Sequence, residues 1–513
     1  MKLLSVDQLY QADKITIKNQ QIDSTQLMER AATQIFEWLD HRLQGAPVPI
    51  HVFCGIGDNG GDGLVVGRLL IEAGYEVVVY IVNCSDKRSQ NFLHNYDRIK
   101  NVTKRWPILM KGEDDFPEID SEDIIIDAIF GIGLNRCPGG WVKKLIQYLN
   151  SIDAFKLSID IPSGLFANKA LEDKEAVLQA NHTLTFQTPK LAFFLPETAK
   201  YVSGFEVLDI GLDEEFLHTV KPLAQLISRV EAQELYIHRE KFGHKGTYGH
   251  ALIVAGSYGK IGAAFLSSLA CFRIGAGMVT TFIPKCGYII LQSSIPEAMV
   301  ITDKEEDFIS NISIDFEPSA IGIGMGIGKN KATLEALKKL FSITKAPLVI
   351  DADALNIISE NKELLKLLPK NSILTPHPGE LRRLIGEWKD DYDKLEKVKK
   401  FSKKYHSVVI IKGAYSMTVY ENQIYINSTG NPGMGTAGSG DALSGVITGL
   451  LCQGYDVLKA SIFGVYMHGF AGDICTQDIG YEAIMAGDII NNLSEAYMLL
   501  FTSDAPKNSE DNS

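Results

Sequence analysis

The chain has 513 residues, with 50 Lys and Arg against 63 Asp and Glu, which gives a formal net charge of −13 at pH 7. Its length predicts about two to three domains, and its 45% hydrophobic and 22% charged content is typical of a globular protein, which excludes a mainly disordered chain. The acidic balance and the lack of a Lys/Arg run argue against nucleic-acid binding, and no apolar stretch is long enough to predict a membrane span.

The cysteines and the amino terminus bear on the cellular compartment. The seven cysteines show no CxxC and no paired spacing, which argues against a disulfide framework or a zinc cluster. The opening segment MKLLSVDQLYQADK has no apolar core of signal-peptide length. We therefore expect a cytoplasmic protein whose cysteines pack as small apolar residues.

Hydrophobic periodicity in the first half predicts alternating helices and strands. Apolar residues recur at spacings of three and four over residues 4–43, which predicts helix. A βαβ unit follows, with a strand at 50–54, a glycine-rich loop at 55–63, a helix at 64–73 and a strand at 76–82. Further strands are predicted at 123–128, 156–161 and 182–186.

A second series of strands follows a boundary that we place within residues 211–230. Its strands are predicted at 250–255, 278–283, 320–323, 347–351, 372–375 and 408–412. A hairpin is predicted over 416–426, with a turn at Asn422, and the polar tail at 502–513 is predicted to be disordered. The chain is therefore expected to hold two α/β domains, at 1–222 and 228–505.

A glycine-rich segment follows the first predicted strand of the βαβ unit. GIGDNGGDG, residues 55–63, satisfies G-x-G-x-x-G, which by itself is a weak indication of a dinucleotide cofactor. No acidic residue ends the next strand, and Asp58 and Asp62 would repel a pyrophosphate. Carboxylate and amide oxygens suit a cation or sugar hydroxyls better. A tight strand–helix turn with solvated acids is the alternative.

Two further strands of the first half end in an aspartate. Asp127 ends IIID shortly before a glycine-containing segment at 131–136, and Asp160 ends SID just before IPSG. A carboxyl at the end of an apolar strand caps a turn or faces a ligand. Because both strands share a sheet edge with the glycine segment, we favour a ligand site.

The strongest motif is GNPGMGTAGSGD, residues 430–441, which precedes the helical run ALSGVITGLL. Backbone N–H groups at a helix start, with no side chains in the way, form an anion site. Asp441 closes the motif and is placed to take a proton from a hydroxyl that attacks a phosphate. A plain glycine-rich turn is the alternative.

Three segments upstream also follow predicted strands. KGAYS at 412–416 could line a nucleotide, and the two prolines of TPHPGE hold His377 and Glu380 in a fixed turn. DADALN begins with Asp351, which repeats the pattern of a strand followed by an acid. A structural histidine and a helix cap are the alternatives for the last two segments.

Four motifs of the first half occur in an order that resembles the NAD(P)H-hydrate epimerase domain: LMERAA (27–32), GIGDNGGDGLVVGR (55–68), IDAIFGIGLNR (126–136) and SIDIPSG (158–164). The resemblance covers about residues 1–215. It implies a Rossmann-like domain that interconverts the C6 epimers of hydrated NADH and NADPH, with Asp160 as catalytic residue.

The same resemblance implies the binding residues of this domain. Substrate contacts are implied for Asp58, Asn59, Gly60, Gly61, Asp62, Gly131, Ile132, Gly133, Leu134, Asn135, Arg136, Cys137 and Asp160. A potassium ion would be held by Asn59, Asp127 and Ser163. Asp58 stands where the family usually has a second Asn, and it adds negative charge beside the substrate phosphates.

The GxGD ending of the 430–441 motif resembles the ribokinase-like superfamily. Together with HKGTYGHALIVAGSYGKIGAA (244–264) and IGIGMGIG (321–328), it resembles the NAD(P)H-hydrate dehydratase domain over about residues 235–500. The implied hydrate contacts are Ala264, Gly326, His377 and Asp441, and the implied adenine-nucleotide contacts are Lys412, Gly413, Ala414, Tyr415, Ser416 and Gly440. The fold class implied is two three-layer α/β/α domains, Rossmann-like and then ribokinase-like.

The whole chain thus resembles the bifunctional NAD(P)H-hydrate repair enzymes. This implies NADHX, NADPHX and ADP as small-molecule partners, Mg²⁺ with ADP as phosphoryl donor, Asp441 as catalytic base, and AMP, phosphate and NAD(P)H as products. A homo-oligomer is expected. A ribokinase-like kinase of a vitamin alcohol is the enzymatic alternative, and a regulatory module is the alternative for the first domain.

Overall fold

The computed structural model describes residues 1–502, so the predicted disordered tail lies outside the described residues from 503 onward. The chain divides into two compact units. The N-terminal unit comprises residues 2–224 with 390–392, and the C-terminal unit comprises residue 1, residues 225–389 and the chain from 393. Over residues 1–502, no helix combines the length and the apolar character that a membrane crossing requires.

The N-terminal unit alternates strands and helices along the chain. Its strands are β1 (Lys2–Leu3), β2 (Ile50–Cys54), β3 (Val77–Val82), β4 (Ile108–Met110), β5 (Ile124–Ala128), β6 (Phe155–Ile159), β7 (His182–Phe186) and β8 (Gly204–Leu208). Its helices are α1 (Val6–Gln20), α2 (Ser24–Leu43), α3 (Asp58–Glu72), α4 (Gln90–Val102), α5 (Gly140–Ser151) and α6 (Glu214–Thr219).

Seven of these strands form one parallel sheet in the order β4-β3-β2-β5-β6-β7-β8. The chain runs outward from β2 to β4 and then returns to begin β5 on the other side of β2. The β2–β5 junction is therefore a topological switch point, where loops at the carboxyl ends diverge and leave a crevice for a ligand.

Helices cover both faces of this sheet. Alternate residues of β2 belong to different apolar clusters: Val52 packs with helices α2, α3 and α4, whereas Phe53 packs with α5. Strands buried on both faces form continuous apolar runs, which is why their positions could be predicted from composition. The predicted three-layer α/β/α class is confirmed for this unit.

The C-terminal unit has its own sheet and helices. Its strands are β9 (Ala224–Ile227), β10 (His250–Val254), β11 (Met278–Ile283), β12 (Met299–Thr302), β13 (Ala320–Ile323), β14 (Leu348–Ile350), β15 (Ile373–Leu374), β16 (Val408–Ile411), β17 (Met417–Tyr420) and β18 (Gln423–Asn427). Its helices are α7 (Arg229–Leu235), α8 (Ile261–Arg273), α9 (Tyr288–Ser294), α10 (Lys331–Ile343), α11 (Ala352–Glu360), α12 (Pro378–Ile385), α13 (Asp391–Tyr405), α14 (Ser439–Cys452), α15 (Val457–Ile479) and α16 (Ala486–Leu500).

The strands of this unit run in the order β9-β18-β17-β16-β15-β14-β13-β10-β11-β12. All neighbours are parallel except in the predicted hairpin, where β17 is antiparallel to β16 and β18. The chain leaves β10 toward β12 and returns to begin β13 on the other side of β10, which creates a second switch point. Helices α8, α14, α15 and α16 pack in one large apolar cluster against the sheet. The predicted class is confirmed here as well.

Three boundaries differ from the sequence prediction. The predicted helix at 4–43 is two helices, because Gln21 turns the chain with φ 55° and Asp23 caps the second helix through a bond from Gln26 N of 2.8 Å. The predicted glycine loop is also too long, because α3 begins at Asp58. The predicted domain start at 228 falls after β9, which pairs with β18 of the C-terminal sheet.

Two candidate active sites

A cavity of about 870 Å³ lies in the N-terminal unit at the β2–β5 switch point. The predicted substrate residues that line it are Asp58, Asn59, Asp62, Gly131, Ile132, Gly133, Leu134, Asn135, Arg136 and Asp160. They come from the start of α3, the segment after β5 and the end of β6. The structure thus brings together ten predicted residues that are up to about a hundred positions apart in the sequence.

Three predicted contacts do not line this cavity. A Cβ atom on Gly60 would lie 1.8 Å from Gly55 O, and one on Gly61 would lie 2.8 Å from Met28 Sδ. Both glycines therefore serve close helix packing, and Cys137 is also outside the lining. A substrate contact from these three positions stays a prediction.

Asp160 is held by an ammonium group that the sequence analysis did not identify. Lys190 is 2% exposed and donates from Nζ to Asp160 Oδ1 at 2.5 Å and to Thr185 Oγ1 at 2.7 Å. Phe186 N also donates to Oδ1, at 3.2 Å. Within residues 1–502 the hydrogen bonds to this carboxylate all end on Oδ1, which leaves Oδ2 to a ligand in the cavity. The 30-residue separation of this pair explains why no local pattern indicated it.

The carboxylates that line the cavity are Asp13, Asp58, Asp62 and Asp160. Burial, and next the charge of Asp160, raise the pKa of Asp62 well above its usual range. The same two causes raise the pKa of Asp13 to about 6. Burial, followed by Asp58, raises the pKa of Tyr10. The helix that carries Asp13 and Tyr10 was predicted, but nothing in its pattern marks either residue as functional.

The predicted potassium ligands meet around the backbone of residues 130–131. Asp127 is fully buried and accepts from Ser163 Oγ at 2.5 Å and Ser163 N at 2.8 Å. Ser163 Oγ in turn accepts from Phe130 N at 2.8 Å. A Cβ on Gly131 would lie 3.1 Å from Asn59 Oδ1, and Asn59 Nδ2 is buried without a partner within residues 1–502. Burial raises the pKa of Asp127 although Ser163 hydrogen bonds oppose the shift.

A second cavity, of about 430 Å³, lies at the β10–β13 switch point of the C-terminal unit. Its lining residues are Gly259, Lys260, Gly262, Ala263, Gly326, Ala352, Asp353, Asn356, Glu380 and Asp441. Of the predicted hydrate contacts, Gly326 and Asp441 line this cavity. Ala264 is fully buried next to the lining residue Ala263, so its predicted contact stays a prediction.

An ion pair between the buried Asp351 and the partly buried Lys412 lies beside the start of α14. Lys412 Nζ donates to Asp351 Oδ1 at 2.8 Å, and Ser444 Oγ donates to Asp351 Oδ2 at 2.7 Å. Asp351 occupies the N-cap position of α11, but its side chain makes no capping bond and pairs with Lys412 and Ser444 instead. A Cβ on Gly440 would lie 3.3 Å from Lys412 Nζ, which places the ammonium beneath the glycine-rich motif. The predicted neighbours Gly413, Ala414, Tyr415 and Ser416 connect β16 to β17.

The glycine-rich motif leads into the first turn of α14 with Asp441. Gly438 occupies the N-cap position with φ 87°, a left-handed conformation that glycine adopts without strain. Burial, and next the charge of Asp351, raise the pKa of Asp441 to about 6. The first N–H groups of a helix have no partner within the helix and attract anions. The start of α14 therefore places a proton acceptor, the Asp441 carboxylate, next to backbone N–H groups that can bind an anion.

His377 begins α12 in a capping arrangement. Its Nδ1 accepts from Gly379 N at 3.0 Å, and Glu380 Oε2 accepts from His377 N at 2.9 Å. Burial, and next the charge of Lys412, lower the pKa of His377. The cap supports the structural alternative, Glu380 lines the cavity, and a hydrate contact from His377 stays a prediction.

Both sites also hold a non-glycine residue with positive φ within two residues of the end of a sheet strand. Asp160 has φ 66° and Ala352 has φ 47°. Such conformations cost of order 1–3 kcal/mol and cluster at functional sites. Two α/β units, each with a carboxylate-lined cavity at its switch point, define a two-site α/β enzyme.

Comparison with known proteins assigns this class to a family. The profile described as NAD(P)H-hydrate dehydratase matches residues 251–495, and the profile described as YjeF-related protein N-terminus matches residues 24–192. A bifunctional NAD(P)H-hydrate repair enzyme Nnr from Moorella thermoacetica is 34% identical, with 96% of each chain covered. The Escherichia coli protein of that name is 31% identical, with 86% of this chain and 84% of the relative covered.

The chain belongs to the family of bifunctional NAD(P)H-hydrate repair enzymes. Among solved structures, the ADP/ATP-dependent NAD(P)H-hydrate dehydratase of Bacillus subtilis, co-crystallised with ATP and Mg²⁺, is 25% identical. The superposition covers 54% of this chain and 99% of the Bacillus subtilis chain, with a TM-score of 0.48. The predicted bifunctional enzyme is confirmed, and the kinase and regulatory alternatives are not supported.

Proposed function

We propose that the chain repairs hydrated NADH and NADPH in two steps. The N-terminal unit interconverts the two C6 epimers, and the C-terminal unit dehydrates the 6S epimer at the expense of ADP. The observation that carries this proposal is the position of Asp441. Its carboxyl, whose pKa is raised to about 6, lies at the glycine-rich start of α14, close to Lys412. A base and an anion site in contact are what phosphoryl transfer to a hydroxyl requires.

The dehydration then follows from bond changes at C6. The C6 hydroxyl oxygen attacks the β-phosphorus of ADP, its proton passes to Asp441, and AMP leaves. The ring nitrogen lone pair expels the new phosphate group from C6, and loss of a C5 proton restores the C5–C6 double bond. Hydroxide is a poor leaving group, and phosphorylation converts the C6 oxygen into a phosphate, which leaves more easily.

The C-terminal cavity contains groups that suit a magnesium–nucleotide complex. Mg²⁺ binds through one or two carboxylates together with substrate phosphates, and it offsets phosphate charge when bound. Asp353 and Glu380 are the carboxylates that line the cavity beside Asp441. Lys412 would contact the transferred phosphoryl group, because it lies beneath Gly440.

One experiment separates this function from that of a kinase. Hydrated NADH is incubated with ADP, or with ATP, and both absorbance of the dihydronicotinamide and free phosphate are followed. The proposal expects absorbance to return with release of one phosphate per molecule of NADH. A stable phosphorylated organic product without recovery of absorbance would support a small-molecule kinase.

The N-terminal cavity is proposed to bind K⁺ beside the substrate. Asp127, Ser163 and Asn59 place oxygen atoms around residues 130–131, and the buried Asp127 carboxylate makes no salt bridge within residues 1–502. A bound K⁺ would neutralise that carboxylate near the substrate phosphates.

Replacing K⁺ by Na⁺ at constant ionic strength is therefore expected to slow epimerisation severalfold and to lower the unfolding temperature of the N-terminal unit. The physical reason is the uncompensated charge of Asp127. Asp127→Asn removes that charge, so its epimerisation rate and unfolding temperature should respond equally to both ions. Equal behaviour of the wild-type protein in the two salts would contradict the potassium site.

The assignment of one activity to each unit is tested by division of the chain. Fragments 1–224 and 225–513 are expected to fold separately, the first with epimerase and the second with dehydratase activity, because each contains a complete sheet core. Fragment 228–513 is the matched comparison: it lacks all of β9, so β18 keeps its pairing with β17 but loses its pairing with β9, and the free energy of unfolding should fall. Failure of both 1–224 and 225–513 to fold would contradict separable domains.

The cytoplasmic location and the homo-oligomer also remain proposals. Light scattering of the purified full chain tests the oligomer, and fractionation of cells tests the location.

A further inference from the structure

Asp13 lies in the N-terminal cavity without an assigned role. It lies on α1, lines the same cavity as Asp160, and is only half-buried. Among residues 1–502 its carboxyl makes no hydrogen bond and no salt bridge. Side-chain polar groups that are withdrawn from water are usually paired. The Asp13 carboxyl has no such partner within residues 1–502, and it is therefore available to a ligand in the cavity.

We propose that Asp13 is a second catalytic residue of the epimerisation, which donates a proton to the departing C6 hydroxyl and works together with Asp160. This inference rests on the proposed epimerase function of the N-terminal unit. It adds a proton donor to a site where the sequence indicated only Asp160.

The neighbourhood of α1 supports contact with the substrate. Tyr10 lies one helical turn before Asp13, on the same face of the helix. A Cβ on Gly133 would lie 2.6 Å from the Tyr10 hydroxyl, so this face abuts the 131–136 segment. Asp13 therefore faces the same space as the predicted substrate-binding segment.

Asp13 and Asp160 have opposite electrostatic environments. Lys190 neutralises Asp160 directly at 2.5 Å, whereas burial and the charge of Asp160 raise the pKa of Asp13 to about 6, against a lowering effect of Lys190. A carboxylate with a buried counter-ion and a nearby carboxyl without one are suited to act as base and acid respectively. The other titratable groups that line the cavity are Tyr10, Lys14, Asp58, Asp62, Cys84, Lys87 and Arg136.

Epimerisation at C6 by loss and re-addition of water needs no reactant other than water. The ring nitrogen lone pair forms a double bond to C6 as the C6–O bond breaks, and the Asp13 proton converts the leaving hydroxyl to water. A water molecule then adds to the opposite face of C6, gives one proton to Asp160, and the electron pair returns to nitrogen. Proton return from Asp160 to Asp13 through solvent closes the cycle, and the roles reverse in the other direction.

Asp62 is the other carboxyl in this cavity that could donate a proton. It lies in the second turn of α3 and is 9% exposed, and its pKa is raised well above the usual range. Asp13 is favoured over Asp62 because it is half-buried and lies on the helix face that abuts the 131–136 segment, where a ligand in the cavity can reach it.

The test uses the full chain and a purified single epimer, with epimerisation followed by chromatography over pH 5–8. Asp13→Asn is expected to lower kcat by about 10²–10⁴-fold with little change in KM, and to remove the fall in activity above about pH 6 that deprotonation of Asp13 causes. Asp13→Glu should recover part of kcat if the variant folds. Asp7→Asn, an exposed position on the same helix, is the matched control and should behave as the wild-type protein.

Each outcome decides the role of Asp13. A wild-type kcat and pH profile in Asp13→Asn would overturn it, as would a change in KM alone. Loss of the alkaline limb in Asp62→Asn with its retention in Asp13→Asn would assign the donor to Asp62 instead. Absence of epimerisation by the wild-type chain would overturn the proposed function together with this inference.

Discussion

Asp441→Asn is expected to lower the rate of dehydration of the competent epimer by about 10²–10⁴-fold, because the amide cannot accept the proton of the C6 hydroxyl. Nucleotide affinity should survive, since the backbone N–H groups of the α14 start do not depend on this side chain. The affinity should even increase as one negative charge is lost. Epimerisation in the other unit should be unchanged.

The role of Asp441 as a base also predicts how the rate of dehydration by the wild-type chain changes with pH. Asp441 acts as a base only when ionised, and its pKa is raised to about 6. Dehydration should therefore fall as the pH is lowered through 6, and Asp441→Asn should lose this dependence. Calorimetry measures nucleotide affinity and absorbance measures NADH recovery. Asp478→Asn, at an exposed position of α15, is the matched control, and full activity of Asp441→Asn would reject Asp441 as the base.

Asp160→Asn is expected to abolish epimerisation and to leave the turnover of the competent epimer intact. The variant keeps the shape of the side chain but loses its charge, so it cannot accept the proton of the water that adds to C6. It also leaves Lys190 buried without its counter-ion, and breaking such a pair costs up to about 3–5 kcal/mol of unfolding free energy.

A double variant separates the catalytic loss from the loss of stability. Asp160→Asn with Lys190→Met removes both buried charges, so the unfolding free energy should return toward that of the wild-type protein while epimerisation stays absent. Thermal unfolding and chromatography of the two epimers measure the two quantities. Normal epimerisation by either variant would remove Asp160 from the mechanism.

The sequence predicted most of the sheet because its central strands are continuous apolar runs that end in Gly, Pro or Asp. The predicted strands 182–186, 278–283 and 320–323 match the observed bounds. The start of α3 was misplaced, since glycine disfavours helix and its packing against Met28 and Cys54 is invisible in a local pattern. The edge strands β4 and β12 are short and were missed.

The candidate sites were predicted in part for a similar reason. Glycine motifs and strand-end aspartates mark loops of an α/β sheet, so Asp160 and Asp441 could be identified. Their supporting charges, Lys190 and Lys412, lie 30 and 29 positions away from them in the sequence, and only the fold defines such pairs. Asp13 lies on a helix whose apolar pattern gives no functional signal.

The central claim is that the two sites act in sequence on one damaged cofactor. It is tested most directly with an equal mixture of the two epimers of hydrated NADH, ADP and Mg²⁺, by following absorbance and phosphate. The wild-type chain should restore all of the NADH in a single continuous phase, whereas Asp160→Asn should stop near half, apart from slow spontaneous epimerisation. Complete and equally fast recovery by Asp160→Asn, or no recovery by the wild-type chain, would contradict the account.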